Sequence, residues 1–140
     1  MITISLGQLR APAFAAAFQK IMKTSGLDAK VSYHCARMSK ILDSELTTAN
    51  VTFDKMVKEH AEFKNEKGES FWKIPEEKIP TWNKMIEDFH AETVKIDKHK
   101  IKLSDIEKAQ LTPADFLALE PVLAGFEILE GGTNGQQEKS

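Results

Sequence analysis

Cysteine is nearly absent from this chain. Cys35 stands alone, so no disulfide can form within the molecule. A domain of 140 residues is long enough to be held by an apolar core instead, and a lone thiol fits a reducing compartment. Neither sign of charge is in excess. With 19 basic and 21 acidic residues the formal net charge is -2, which removes a general electrostatic pull towards nucleic acid or anionic membrane. Long apolar runs are missing too. The least polar stretch, Ala11 to Phe18, falls far short of the ~20 residues that cross a bilayer. Met1-Ile2-Thr3-Ile4-Ser5-Leu6 lacks the basic-then-apolar layout of a signal peptide. The expected place of synthesis is the cytoplasm, with no membrane contact.

Motifs that carry chemistry are also wanting. There is no Walker A, G-x-G-x-x-G or G-x-S-x-G pattern. His34, His60, His90 and His99 are scattered, without the i, i+4 or Cys/His spacing of a zinc site. Glu87 and His90 form one Glu-x-x-His pair. A di-iron bundle needs two such pairs plus carboxylates from two further helices, so this one reads as polar residues flanking an apolar stripe. His34 beside Cys35 suggests a nucleophile and its base, but adjacent residues on a helix point about 100° apart. The expectation is a protein that is not an enzyme, with no catalytic residue, metal ligand or cofactor.

What the chain does have is periodicity. Ile2, Ile4 and Leu6 alternate with Thr3 and Ser5, the pattern of a short strand. Gln8 to Lys23 carries Leu9, Phe14, Ala17, Phe18, Ile21 and Met22 at helical spacing, with Pro12 in the first turn and Gly26 as the stop. Asp28 is a natural cap for the longest element. From Ala29 to about Lys64 there is no proline and no glycine, and apolar or small residues recur in alternating steps of four and three. That is a heptad-like seam with one stutter between Leu42 and Leu46, and a helix of roughly 50 Å. Threonines and Asn50 within Thr47–Thr52 lower helix propensity, so a kink or break there is compatible with the sequence.

Asn65 to Pro80 reads as a connection, with Lys67-Gly68 as a turn signal. Thr81 is expected to cap a third helix bearing Trp82, Met85, Ile86 and Phe89. Matched apolar stripes predict that the helix within Asp28–Lys64 folds antiparallel on the one within Thr81–Ala91. Val94, Ile96, Ile101 and Leu103 alternate with charges, as in one irregular strand or a small hairpin. Ser104 to Glu107 has the form of a capping box. Thr112-Pro113-Ala114-Asp115 opens a helix that stops near Pro121. Phe126, Ile128 and Leu129 fit a last strand, and Gly131–Ser140 is a polar tail. The chain thus predicts an α+β fold, mainly α: a long antiparallel helical hairpin, a first helix packed on it, and short terminal strands. Residues 1–130 form one helical domain and 131–140 the tail.

Two clusters could carry contacts. Lys95, Lys98, Lys100 and Lys102 with His99 could meet phosphates, although an edge strand guarded by lysines explains them better. Phe63, Phe71, Trp72 and Trp82 gather around the interhelical connection. They either plug the end of the helical hairpin or anchor an interface, a role for which aromatics are favoured.

The order of elements, with "SKILDSEL", "KMVKEHAEF", "VKIDKHKIKLSDIE" and "LTPADFLALEPVL", resembles the small uncharacterised proteins of tailed bacteriophages from about Ile2 to Phe126. The resemblance implies a phage context and transfers no catalytic residue. It also implies a helical α+β fold. In that context the long seam, the terminal strands and the tail suit a structural or assembly protein of the tail or neck region of the particle, synthesised in the host cytoplasm and carried into the virion. Its partners would be other phage structural proteins and copies of itself. The alternative is a small inhibitor that blocks a host enzyme or defence complex. A long apolar seam and a polar tail both favour partners made of protein, with an interface above ~1,000 Å².

Overall fold

A computed structural model of the chain describes residues 1–125. The expected strand at Phe126–Leu129 and the tail at Gly131–Ser140 lie outside the described residues. The fold is α+β and mainly helical.

Strand β1 spans Ile2–Ser5, and its alternation sorts the side chains: Ile2 and Ile4 are buried, Thr3 is exposed. It pairs antiparallel with β4, Thr93–Ile96, placing Ile2 opposite Ile96 and Ile4 opposite Val94. Ser5 ends the strand and caps helix α1, Leu6–Arg10. The Gln8 amide donates to Ser5 Oγ at 3.1 Å and the Ser5 amide donates to Gln8 Oε1 at 2.9 Å, a capping box built with glutamine.

The single helix expected from Gln8 to Lys23 is two helices. Ala11 precedes a proline and is extended at φ -65, ψ 127, because the proline ring disfavours the helical region for the residue before it. Helix α2 then runs from Pro12 to Met22 and buries Phe14, Ala17, Phe18 and Ile21.

Asp28 caps helix α3, Ala29–His60, by accepting from the Lys30 amide at 2.9 Å. Its 32 residues make it about 48 Å long. The helix is continuous through Thr47–Thr52. Thr48 and Thr52 donate their hydroxyls to the carbonyls of Ser44 and Thr48, which satisfies them without breaking the ladder. Cys35, Met38, Leu42 and Ala49 face the core.

The helix stops at His60 rather than near Lys64. Ala61 is extended, and the segment expected to be a connection is a β-hairpin: β2, Glu62–Glu66, and β3, Glu69–Lys73. Lys67 and Gly68 both have positive φ, 52 and 78, as a two-residue type I′ loop requires. Phe63 fits the helical seam by spacing, yet the strand wins because Phe63 gains Trp72 as a cross-strand neighbour.

Helix α4, Ile79–Ala91, follows a 3-10 turn at Glu76–Lys78. Thr81 does not cap it. The helix begins two residues earlier, with Pro80 in the first turn. Its rings reach α3: Trp82 lies 6.1 Å from His60 and Phe89 lies 6.2 Å from Phe53. The backbone of α4, however, approaches α1 more closely than α3. In place of the expected long antiparallel helical hairpin stands a three-way junction, with the β-hairpin inserted in the connection and α1 packed on both α3 and α4.

Beyond α4, the alternating segment neither forms one strand nor folds on itself. Its first part, β4, joins β1. Its second part, β5 at Ile101–Lys102, pairs in parallel with β6 at Leu123–Ala124. Ser104 to Glu107 makes no side-chain cap; a 3-10 turn at Leu103–Ile106 stands there instead. Helix α5, Pro113–Leu119, starts where expected, and Thr112 and Asp115 form a capping box, each side chain accepting from the other's amide. Its Asp115 accepts from Lys20 at 2.6 Å, tying α5 to α2.

One cluster of buried apolar side chains draws on residues from Ile2 to Leu123, with Ile4, Leu9, Ile21, Met38, Ile101, Leu119 and Val122 at its centre. Each such side chain contributes about 1.5–3 kcal/mol of transfer free energy. The core takes in only the first two-thirds of α3. The far end of α3, the hairpin and the start of α4 lie away from it.

Candidate interaction surface

The β2–β3 hairpin is built from side chains that the core does not use. Every residue of β3 is exposed, and in β2 only Lys64 is half-buried. Phe63 is 57% exposed, Trp72 45% and Phe71 37%, so the fold itself leaves three large aromatics of one small element uncovered, the kind of surface from which contacts are made. The register places Phe63 opposite Trp72 and Lys64 opposite Phe71. Alternation then sorts them. Phe63 and Trp72 share one face, in edge-to-face contact at 5.3 Å between ring centroids. Phe71 lies on the other face with Glu62, Lys64, Glu66, Glu69 and Lys73.

Of the four aromatics expected to act together, three therefore sit on one projecting element. Trp82 does not join them. It belongs to α4 and is half-buried against Phe53 and His60, at 6.2 and 6.1 Å. Its role is to close the far end of α3.

A second cluster is invisible in the sequence because its members lie 40 and 80 residues apart. Arg10, at the end of α1, donates from Nε to Asn50 Oδ1 at 3.0 Å and from Nη1 to His90 Nε2 at 2.8 Å. Its guanidinium lies 4.0 Å from the Phe53 ring centroid and 5.9 Å from that of Phe89. A guanidinium only donates, so His90 Nε2 is the acceptor in this contact. This cluster clamps α1 to α3 and α4. It also accounts for His90, whose Glu87 neighbour points to solvent. Among the described residues no group of three or more His, Cys, Asp and Glu side chains is placed to hold a metal ion.

Cys35 is buried, and desolvation, helped by the charge of Asp105, pushes its thiol above the ordinary value. A protonated thiol is a poor nucleophile. His34 turns elsewhere and bonds the carbonyl of His99 through Nε2 at 2.8 Å. The lysines expected on one strand are dispersed: Lys95 on β4, Lys102 on β5, with Lys98 and Lys100 between them. Lys100 and Lys102 share an open groove of about 600 Å³ with Lys30, His34 and His99, and Asp105 opposes them there. No helix among the described residues is long and apolar enough to cross a membrane.

Comparison with protein-family models, with curated proteins and with solved structures gives no match.

Proposed function

We propose that this chain is a non-enzymatic structural or assembly protein of a tailed phage particle, in its tail or neck region, that works by docking its aromatic β-hairpin against other proteins. The observation that carries the reading is the exposure of Phe63, Phe71 and Trp72 on an element the core does not need. A two-stranded hairpin is marginal by itself in water and gains stability when a further strand or surface covers it. Aromatic side chains are also the residues that most often anchor a protein interface. The phage setting comes from the resemblance of the sequence alone.

The test is compositional and genetic. Mass spectrometry of purified particles should find the protein at stoichiometric level. A Phe63→Ser/Trp72→Ser variant should keep its melting temperature within about 2 °C, because exposed sites contribute little to stability, and should be lost from particles. Incorporation of that variant at the wild-type level would defeat the role given to the hairpin. Absence of the protein from particles, together with its recovery from infected cells bound to a host enzyme, would replace this reading with that of an inhibitor.

A further inference from the structure

The hairpin has two outer edges, and their sequences are not equivalent. Strand β3 reads Glu69-Ser70-Phe71-Trp72-Lys73, and β2 reads Glu62-Phe63-Lys64-Asn65-Glu66. An edge strand presents a row of unpaired amides and carbonyls that another strand can use. Among the described residues no strand pairs with the outer edge of either one.

Consider each strand paired antiparallel with its own copy about its central residue. For β3, Glu69 then faces Lys73 of the second copy, Lys73 faces Glu69, and Phe71 faces Phe71. For β2, Glu62 faces Glu66 and Lys64 faces Lys64. Opposite charges across a strand pair stabilise and like charges destabilise. The edge of β3 is thus self-complementary, whereas the edge of β2 repels itself.

Backbone parity agrees. The two-residue loop at Lys67-Gly68 makes Glu66 and Glu69 a hydrogen-bonded pair, and bonded and non-bonded pairs alternate along the hairpin. Phe71 and Lys73 therefore turn their amides inward to β2, while Ser70 and Trp72 turn theirs outward. Pairing about Phe71 sets Ser70 opposite Trp72 of the second copy, so outward groups meet outward groups. Phe71 meets Phe71 at a non-bonded position, where side chains lie closest. The other face gains as well. Phe63 and Trp72 of one copy and Trp72 and Phe63 of the other fall into one aromatic band across four strands, with the two Trp72 rings at diagonal positions within reach of each other.

We propose that the outer edge of β3 is where a second copy of this chain docks, the two β3 strands pairing antiparallel about Phe71 into a four-stranded sheet. This rests on the reading of the hairpin as a docking element and names one of its partners. Such a contact is isologous, the symmetry by which most homodimers close.

Sedimentation of the purified full-length protein, up to about 100 μM, tests it directly. The wild type should pass from monomer to dimer with rising concentration. Glu69→Lys and Lys73→Glu each turn two attractive pairs into two repulsive ones, so each should weaken dimerisation about tenfold or more. The double exchange Glu69→Lys/Lys73→Glu restores opposite charges and should return the dissociation constant to within about threefold of the wild type. Unchanged circular dichroism in all three variants shows that the fold is intact. A wild type that stays monomeric, single variants that dimerise as well as the wild type, or a double exchange that fails to rescue would each overturn the proposal. A monomer that still enters particles by way of Trp72 would refute the dimer and leave the assembly reading standing.

Discussion

Replacing Arg10 by alanine should be among the most costly changes available on the surface of this protein. The side chain is half-buried and makes two hydrogen bonds, to Asn50 at 3.0 Å and His90 at 2.8 Å. Bonds involving a charged group contribute about 1.5–3 kcal/mol each when they are well buried. These are partly exposed, so about 1 kcal/mol apiece is the appropriate scale. The guanidinium over Phe53, at 4.0 Å, adds about 0.5–1 kcal/mol. Release of the arginine's rotamer entropy returns up to about 1 kcal/mol. The net loss is about 2 kcal/mol, which for a domain of this length lowers the melting temperature by about 6–8 °C. Arg10→Lys keeps the charge but not the planar fork, so it can hold Asn50 or His90 but not both. It should lose about half as much. Urea denaturation followed by fluorescence is well suited to the measurement, since Trp82 packs on Phe53 and His60 in the same region. A double-mutant cycle with His90→Ala isolates the pair, with an expected coupling of about 0.5–1.5 kcal/mol. If Arg10→Ala costs less than about 0.5 kcal/mol, the clamp is not holding the three helices, and Leu9 alone must anchor α1.

Two further predictions concern the core and its electrostatics. Met38 is fully buried at the centre of the cluster, so Met38→Ala should cost about 2–5 kcal/mol in chemical denaturation; a loss below about 1 kcal/mol would mean that the site collapses around the smaller side chain. Hydrogen bonds from Lys20, then from Thr112, hold the Asp115 carboxyl below its usual range. A carboxylate with a depressed pKa adds stability above the ordinary carboxylate value and loses it as pH falls through the native value. Wild-type melting temperature should therefore drop on acidification below about pH 4, and Asp115→Asn should flatten that drop; parallel curves for the two proteins would remove Asp115 as a contributor.

Much of the fold was legible because it depends on local chemistry. The alternation of Ile2 and Ile4, Asp28 ahead of an unbroken run, and Thr112-Pro113 with Asp115 each write an element or its start into a few adjacent residues. The failures are equally local. Phe63 satisfies the helical seam after His60 and also the strand opposite Trp72, and spacing cannot choose between them. The signal that could have decided was Lys67-Gly68 with aromatics four residues before and three after it, which marks a hairpin rather than a connection. Pro12 does open a helix, but the extended Ala11 before it also separates that helix from α1, a break that helical spacing over Gln8 to Lys23 does not register.

The sequence by itself determined that the chain is mainly helical with a short first strand, that the long helix is capped at Asp28, and that a helix opens at Thr112-Pro113. Only the tertiary structure decided that β1 pairs with β4, that β5 pairs with β6, and that Arg10 joins Asn50, Phe53 and His90. The reason is separation along the chain. A cap or a turn is fixed by residues within four of each other, whose relative geometry the backbone imposes. A strand partner some 90 residues away, or a guanidinium shared between three helices, depends on which of many apolar faces the collapsing chain buries together. That choice is made by the sum of all contacts and is written in no single stretch of sequence.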